Sequence, residues 1–263
     1  MMLHLKVSGI GLLGPGLADW ASGQLLLRTP SLWQATATVV PAANRLPPTE
    51  RRRAGTVVKA SMLVADEALA ASGLDAADLP TVFCGSSGDP LNCHLLCEAL
   101  AAPERLLSPT RFTNSVHNAP AGYWHIATQS RAASTSLAAY DASFAAGLLE
   151  ASVQCLAAQA PVLLVACDVP YPEPLHTVRP VADVFAVALV LSPASAAGRG
   201  LTLQTGLAAT HSLCGHPGLD AVCSGIPAAR ALPLLQALAR DGAADVVIEG
   251  LSDLALQLKV GAR

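Results

Sequence analysis

Two continuous apolar runs constrain this chain more than any other feature: PVLLVAC over Pro161–Cys167 and VFAVALVL over Val184–Leu191, the latter within an expected strand over Val181–Leu191. A strand with one wet face alternates apolar and polar residues, whereas an unbroken run bounded by loops is covered on both faces. Strands of that kind need helices on both sides, which places the chain in the α/β class with a mixed, mostly buried sheet. Composition agrees. Of 263 residues, 52% are hydrophobic and only 13% are charged, and much of the apolar share is Ala and Leu, which suits closely packed helices. This length buries a sizeable core. No repeat, low-complexity segment or linker divides the sequence, so residues 1–263 read as a single domain.

Taken in order, Leu3–Gly9 alternates and reads as a first strand, with Gly11, Gly14, Pro15 and Gly16 as its turn-rich exit. A short helix is expected over Leu17–Leu25, and Trp33 anchors the ambiguous stretch that follows. RLPPTERRR, Arg45–Arg53, is a Pro-marked loop entering a helix, with Thr49 as the expected cap. Val57–Ala71 has helical periodicity and stops at Ser72-Gly73. Pro80–Ser86 reads as a buried strand and Leu91–Leu100 as a short helix. A Pro-rich loop at 168–180 separates the two aliphatic strands, and beyond them lie a strand at Leu201–Thr205 and an irregular Gly- and Cys-rich stretch at His211–Gly225. A helix over Pro227–Arg240 and two strands, Ala244–Glu249 and Leu254–Val260, close the chain around a turn at Gly250–Asp253.

Function concentrates between Arg111 and Ala151. A polar loop, Asn114–Gly122, precedes an amphipathic segment, Tyr123–Gln129, and a half-buried strand, Ala133–Ala139. That strand meets a small-residue helix, Ser143–Leu156, through the sharp junction Tyr140-Asp141-Ala142. A strand feeding a helix through a tight turn projects one side chain into a cleft, where the helix N-terminus favours developing negative charge. The side chains offered here are Tyr140 and Asp141, with neither Cys nor a Ser-Gly pair. Asp141 also suits a plain helix start, by capping and by the macrodipole. His117 and Asn118, together in a loop, read as hydrogen-bonding residues, since no nucleophile accompanies them.

Other classes are disfavoured. A net charge of −3 gives no electrostatic case for nucleic acid, and Arg51, Arg52 and Arg53 form the only basic cluster. No apolar run has the length of a membrane span, and no signal peptide is visible, so the expected location is the cytoplasm. Seven irregularly spaced Cys fit reduced thiols. Cys93, His94 and Cys97, and likewise His211, Cys214, His216 and Cys223, lack paired zinc-ligand spacing, so no metal is expected. Gly85–Gly88 lacks the Lys-Ser/Thr ending of a phosphate loop, and no cofactor is expected.

Several segments together resemble the β-ketoacyl synthases of the thiolase superfamily: RLPPTERRR with the helix after it, VFCGSSG, SVHNAPAGYWHIATQSRAASTSLAAYDAS and RPVADVFAVALVLSP. The resemblance runs from Leu3 to Ser192, the N-terminal half of a synthase. SVHNAPAGYW with SFAAGLLEA is similar to the short synthase-like members of aryl polyene pigment clusters, which resemble chain-length factors. Such a subunit pairs with a true synthase without performing the condensation. The resemblance implies a thiolase-like fold and places Asp141, or Tyr140 after a one-residue slip, where synthases carry the nucleophilic Cys. Neither side chain forms a thioester. The half that carries two catalytic His is mostly missing, and Gly215-His216 is only an echo of it. Asn114, His117, Asn118, Gly122, Trp124, His125 and Phe144, with Tyr140 and Asp141, fall at the implied interface and tunnel. The implied partner is a full-length ketosynthase; an acyl carrier protein could contact Arg51–Arg53, although these three Arg read first as a solvated helix start. Two other readings stay open: an enzyme acting on acyl thioesters with Asp141 and His117 or His125, and a homodimeric acyl-binding scaffold.

Overall fold

The computed structural model describes residues 2–207 and 210–262. The chain runs β1 (Leu3–Leu13), α1 (Trp20–Arg28), α2 (Pro48–Arg53), α3 (Thr56–Ser72), β2 (Thr81–Cys84), α4 (Pro90–Ala101), α5 (Pro109–Thr113), α6 (Ala119–Thr128) and β3 (Ser134–Leu137). It continues with α7 (Ser143–Ala158), β4 (Val162–Asp168), α8 (Leu175–Val178), β5 (Phe185–Pro193), β6 (Arg199–Leu207), α9 (Pro217–Gly225), α10 (Leu232–Ala239), β7 (Ala244–Glu249) and β8 (Leu254–Val260). All strands join one mixed sheet of order β3-β2-β4-β5-β1-β6-β8-β7. β2 runs parallel to β3 and β4; every other pairing is antiparallel.

The two aliphatic runs become β4 and β5 at the sheet centre, and every residue of both is buried. One face packs against α7, α10 and the 3-10 turn Pro227–Ala231; the other packs against α3 and α6. Gly11 lets α3 lie against β1, because a Cβ there would stand 1.9 Å from the Val64 carbonyl oxygen. The wing β6-β8-β7 alternates buried and accessible residues, as an antiparallel sheet covered on one face does.

Several local expectations are corrected. The helix after β1 starts three residues later, where Asp19 accepts the Ser22 N–H at 2.7 Å and caps it. Thr49 does not cap α2; it lies inside the first turn, behind Pro47 and Pro48. The supposed loop Asn114–Gly122 ends in helix, since α6 begins at Ala119 with Pro120 in its first turn. The stretch His211–Gly225 is not irregular throughout. Pro217 opens α9, and Asp220 in its first turn accepts the Cys214 N–H at 2.7 Å. Among the described residues, no helix is long and apolar enough to cross a membrane.

Candidate functional site

The junction between β3 and α7 is a tight elbow. Tyr140 adopts φ +50°, a left-handed conformation that costs an L-residue about 1–2 kcal/mol. The Ser143 hydroxyl donates to the Tyr140 carbonyl at 2.6 Å and accepts the Ala139 N–H at 2.9 Å. The Ala142 and Ser143 amides bond back to the Ala139 and Tyr140 carbonyls at 3.0 and 3.3 Å. The first amides beyond the apex are therefore used within the turn. α7 then drives into the core through Phe144, Ala145, Leu148 and Ala151. Gly147 is required there, because a Cβ would meet the Cys84 sulfur at 2.4 Å.

Tyr140 and Asp141 diverge. Tyr140 is 64% exposed, and its ring lies 3.8 Å from the Arg179 guanidinium. Asp141 accepts from Arg179 at 2.7 Å and faces Arg230 at 3.4 Å; Arg230 in turn pairs with Glu249 at 2.5 Å. Pairing with Asp141 raises the Arg179 pKa against a desolvation that lowers it. A carboxylate engaged by two guanidinium groups is a poor nucleophile, since attack draws on the lone pairs those cations occupy.

Behind the elbow, Asp168 ends β4 and is 2% exposed. It accepts the Ser86 N–H and hydroxyl at 2.8 and 2.6 Å and the Ala228 N–H at 2.8 Å. Burial pushes its pKa up to about 6 against those bonds. Desolvation also drives the thiols of Cys84 and Cys167 well above the usual range, so neither is a ready thiolate. A pocket of about 200 Å³ opens beside the network, lined by His211, Cys223, Arg230, Val247 and Glu249 among others.

The remaining candidates lie elsewhere. Trp124 and His125 sit on α6, across the sheet from α7. Trp124 has no exposed surface, and Phe144 only 1%, so neither presents a face at the surface of this chain. Asn114 is buried; it donates to the Arg53 carbonyl at 2.8 Å and accepts the Tyr123 hydroxyl at 3.0 Å. His117, Asn118 and Gly122 are exposed, and His125 is half-buried. The structure thus brings Tyr140 and Asp141 together and leaves both His on other elements. Arg179, Arg230, Glu249 and Asp168 were not foreseen as site residues. Their only signal was rarity, since in a chain with so few charges each one near an elbow merits attention. Among the described residues, no group of three His, Cys, Asp or Glu side chains is placed to hold a metal ion.

A second cleft, of about 650 Å³, opens at the start of α3. Arg52, Arg53, Lys59 and Arg111 line it opposite a single acid, Asp89. Nearby, α4 and α5 stand off the body with Leu91, Leu100, Leu106, Phe112 and Val116 exposed.

Comparison with solved structures finds the same fold. A chain of the complex of the ketosynthase ApeO with its chain length factor ApeC from Xenorhabdus doucetiae matches with TM-score 0.75 and 22% identity, covering 99% of this chain and 100% of that one. A chain of the AntDE:AntF complex, a type II polyketide synthase acyl carrier protein with its ketosynthase, matches with TM-score 0.78 and 13% identity over 100% of both. The ishigamide ketosynthase/chain length factor matches with TM-score 0.72 and 13% identity over 99% of both chains. No curated protein matches the sequence. The sequence profile described as beta-ketoacyl synthase, N-terminal domain, matches residues 21–243. On that match, the chain belongs to the beta-ketoacyl synthase N-terminal domain family.

Proposed function

We propose that this chain is a non-catalytic synthase-like subunit, built as a single thiolase-like domain, that pairs with a full-length ketosynthase and shapes its acyl tunnel. The observation that supports the reading is the elbow itself: its side chains are Tyr140, stacked on Arg179, and Asp141, ion-paired on two sides, and neither forms a thioester, while surfaces suited to a partner stay open. Among the described residues, β3 is the terminal strand of the sheet and pairs with β2 alone. An unpaired strand edge adds a further strand through main-chain hydrogen bonds. Leu91, Leu100 and Phe112 on α4 and α5 add exposed apolar area of the kind a partner covers. Kinship with chains from ketosynthase/chain length factor assemblies supports the same role.

The basic cleft beside α3 suits an acidic acyl carrier protein, by charge complementarity. The resemblance to aryl polyene members supports a role in aryl polyene or fatty acid-like biosynthesis, with the cytoplasm as the corresponding location. The partner supplies the Cys and both His.

The test is co-expression with the ketosynthase encoded beside this chain, followed by size exclusion with light scattering. A one-to-one complex is expected. A stable homodimer that ignores the ketosynthase would sink this reading in favour of a scaffold.

A further inference from the structure

Beyond β6, the chain reaches the elbow through the 3-10 turn Pro227–Ala231, in which every residue but Arg230 is buried. Two acids from earlier in the chain fasten it. Asp168 accepts the Ala228 N–H at 2.8 Å, and Asp141 faces the Arg230 guanidinium at 3.4 Å. Arg230 spans onward to Glu249 at 2.5 Å, the last residue of β7 and the entry to the β7–β8 turn. Inside that turn Gly250 donates to the Leu254 carbonyl at 3.0 Å. The turn is thus pinned at its start from the floor of the elbow and at its far end from the elbow apex. Its one accessible side chain bridges two separate elements.

We infer that Pro227–Ala231 is a built-in strap that holds the elbow shut in the isolated chain, with Arg230 as the latch joining it to the β7–β8 hairpin. The strap blocks approach from the side of the C-terminal segment, and Asp141 provides its anchor rather than a reactive group. Arg179 completes the clamp. It holds the other oxygen of Asp141 while stacked on Tyr140, so the carboxylate is turned toward the strap. The inference goes beyond the subunit role and needs no partner.

Hydrogen exchange on the full chain alone tests it. Arg230→Gln is expected to speed exchange about ten-fold or more at residues 226–232 and at Gly250 and Leu254, while β4 and β5 keep their protection. Glu249→Gln removes the outer bond at a half-exposed position, with less risk to folding, and is expected to give the same pattern more weakly. Unchanged exchange at these segments in both variants would overturn the strap. A uniform rise through β4 and β5 in both would also overturn it, because Arg230 would then serve stability in general. No ketosynthase enters this measurement, so its failure leaves the subunit reading standing, and failure to pair leaves the strap standing.

Discussion

The helices α7 and α4 look alike in sequence and behave oppositely in the fold. Both are rich in Leu, Ala and Cys and poor in charge. α7 buries Ser143, Phe144, Ala145, Gly147, Leu148, Ala151, Ser152 and Cys155, whereas α4 buries only Pro90 and Asn92. The difference lies in what surrounds them. α7 lies under the parallel strands, where Gly147 admits the Cys84 side chain. α4 is tethered by its cap, Asp89 accepting the Asn92 N–H at 3.0 Å, and by the Asn92 side chain donating to the Arg111 carbonyl at 2.8 Å. An apolar helix only partly covered in its own chain is what a surface open to a partner displays, and its composition alone does not distinguish it from core.

Three experiments would break or sharpen that contrast. The largest effect is expected at Phe144, 1% exposed. Phe144→Ala should cost about 3–5 kcal/mol in chemical denaturation, because the cavity cannot collapse beneath a packed sheet. A loss under 1 kcal/mol would mean that α7 is not the core helix it appears in the contacts.

Next comes Asp168, held beneath the same helix layer. Its folded pKa, about 6, lies above its ordinary value of 3.8. The folded state therefore binds this proton more tightly. The stability it contributes is fully present below the unfolded value and is lost as pH rises through 6. On the order of 2–3 kcal/mol is involved. Thermal melts of the wild type should fall between pH 4 and 7, and Asp168→Asn should flatten that slope. An equal slope in both proteins would contradict the assignment.

The smallest effect on stability belongs to α4. Leu100→Ser should change it by no more than about 0.5 kcal/mol, as at most exposed positions. The same variant should weaken the ketosynthase complex in a binding titration, and undiminished affinity would remove α4 from the interface. Cys93 and Cys97, both exposed, offer a parallel readout through alkylation that slows on assembly.

The sheet was legible because its signals are local. Unbroken aliphatic runs announce two-sided burial, and β4 and β5 fall where those runs stand. α9 was missed because Gly and Cys masked a helix whose start signals, Pro217 and Asp220, were present in GHPGLD. Tyr140 and Asp141 were both visible as the side chains of the elbow. The partners of Asp141 were not, since Arg179 is 38 positions and Arg230 is 89 positions along the chain, and no periodicity links such distances. The direction of Tyr140 was likewise hidden, because a φ of +50° at a residue other than Gly has no sequence mark.

The two ends of the sheet are finished differently. On the outer side of β7, Ser212 donates its N–H to the Val247 carbonyl at 2.9 Å, and its hydroxyl accepts the Val247 N–H at 3.0 Å. That margin already spends a donor and an acceptor on its own chain, while β3 at the opposite margin keeps its outward groups. A tile with one blunted edge joins one neighbour and then stops. If β3 pairs with a partner strand as proposed, growth of the joined sheet stops at β7, which favours a finite assembly over a fibre.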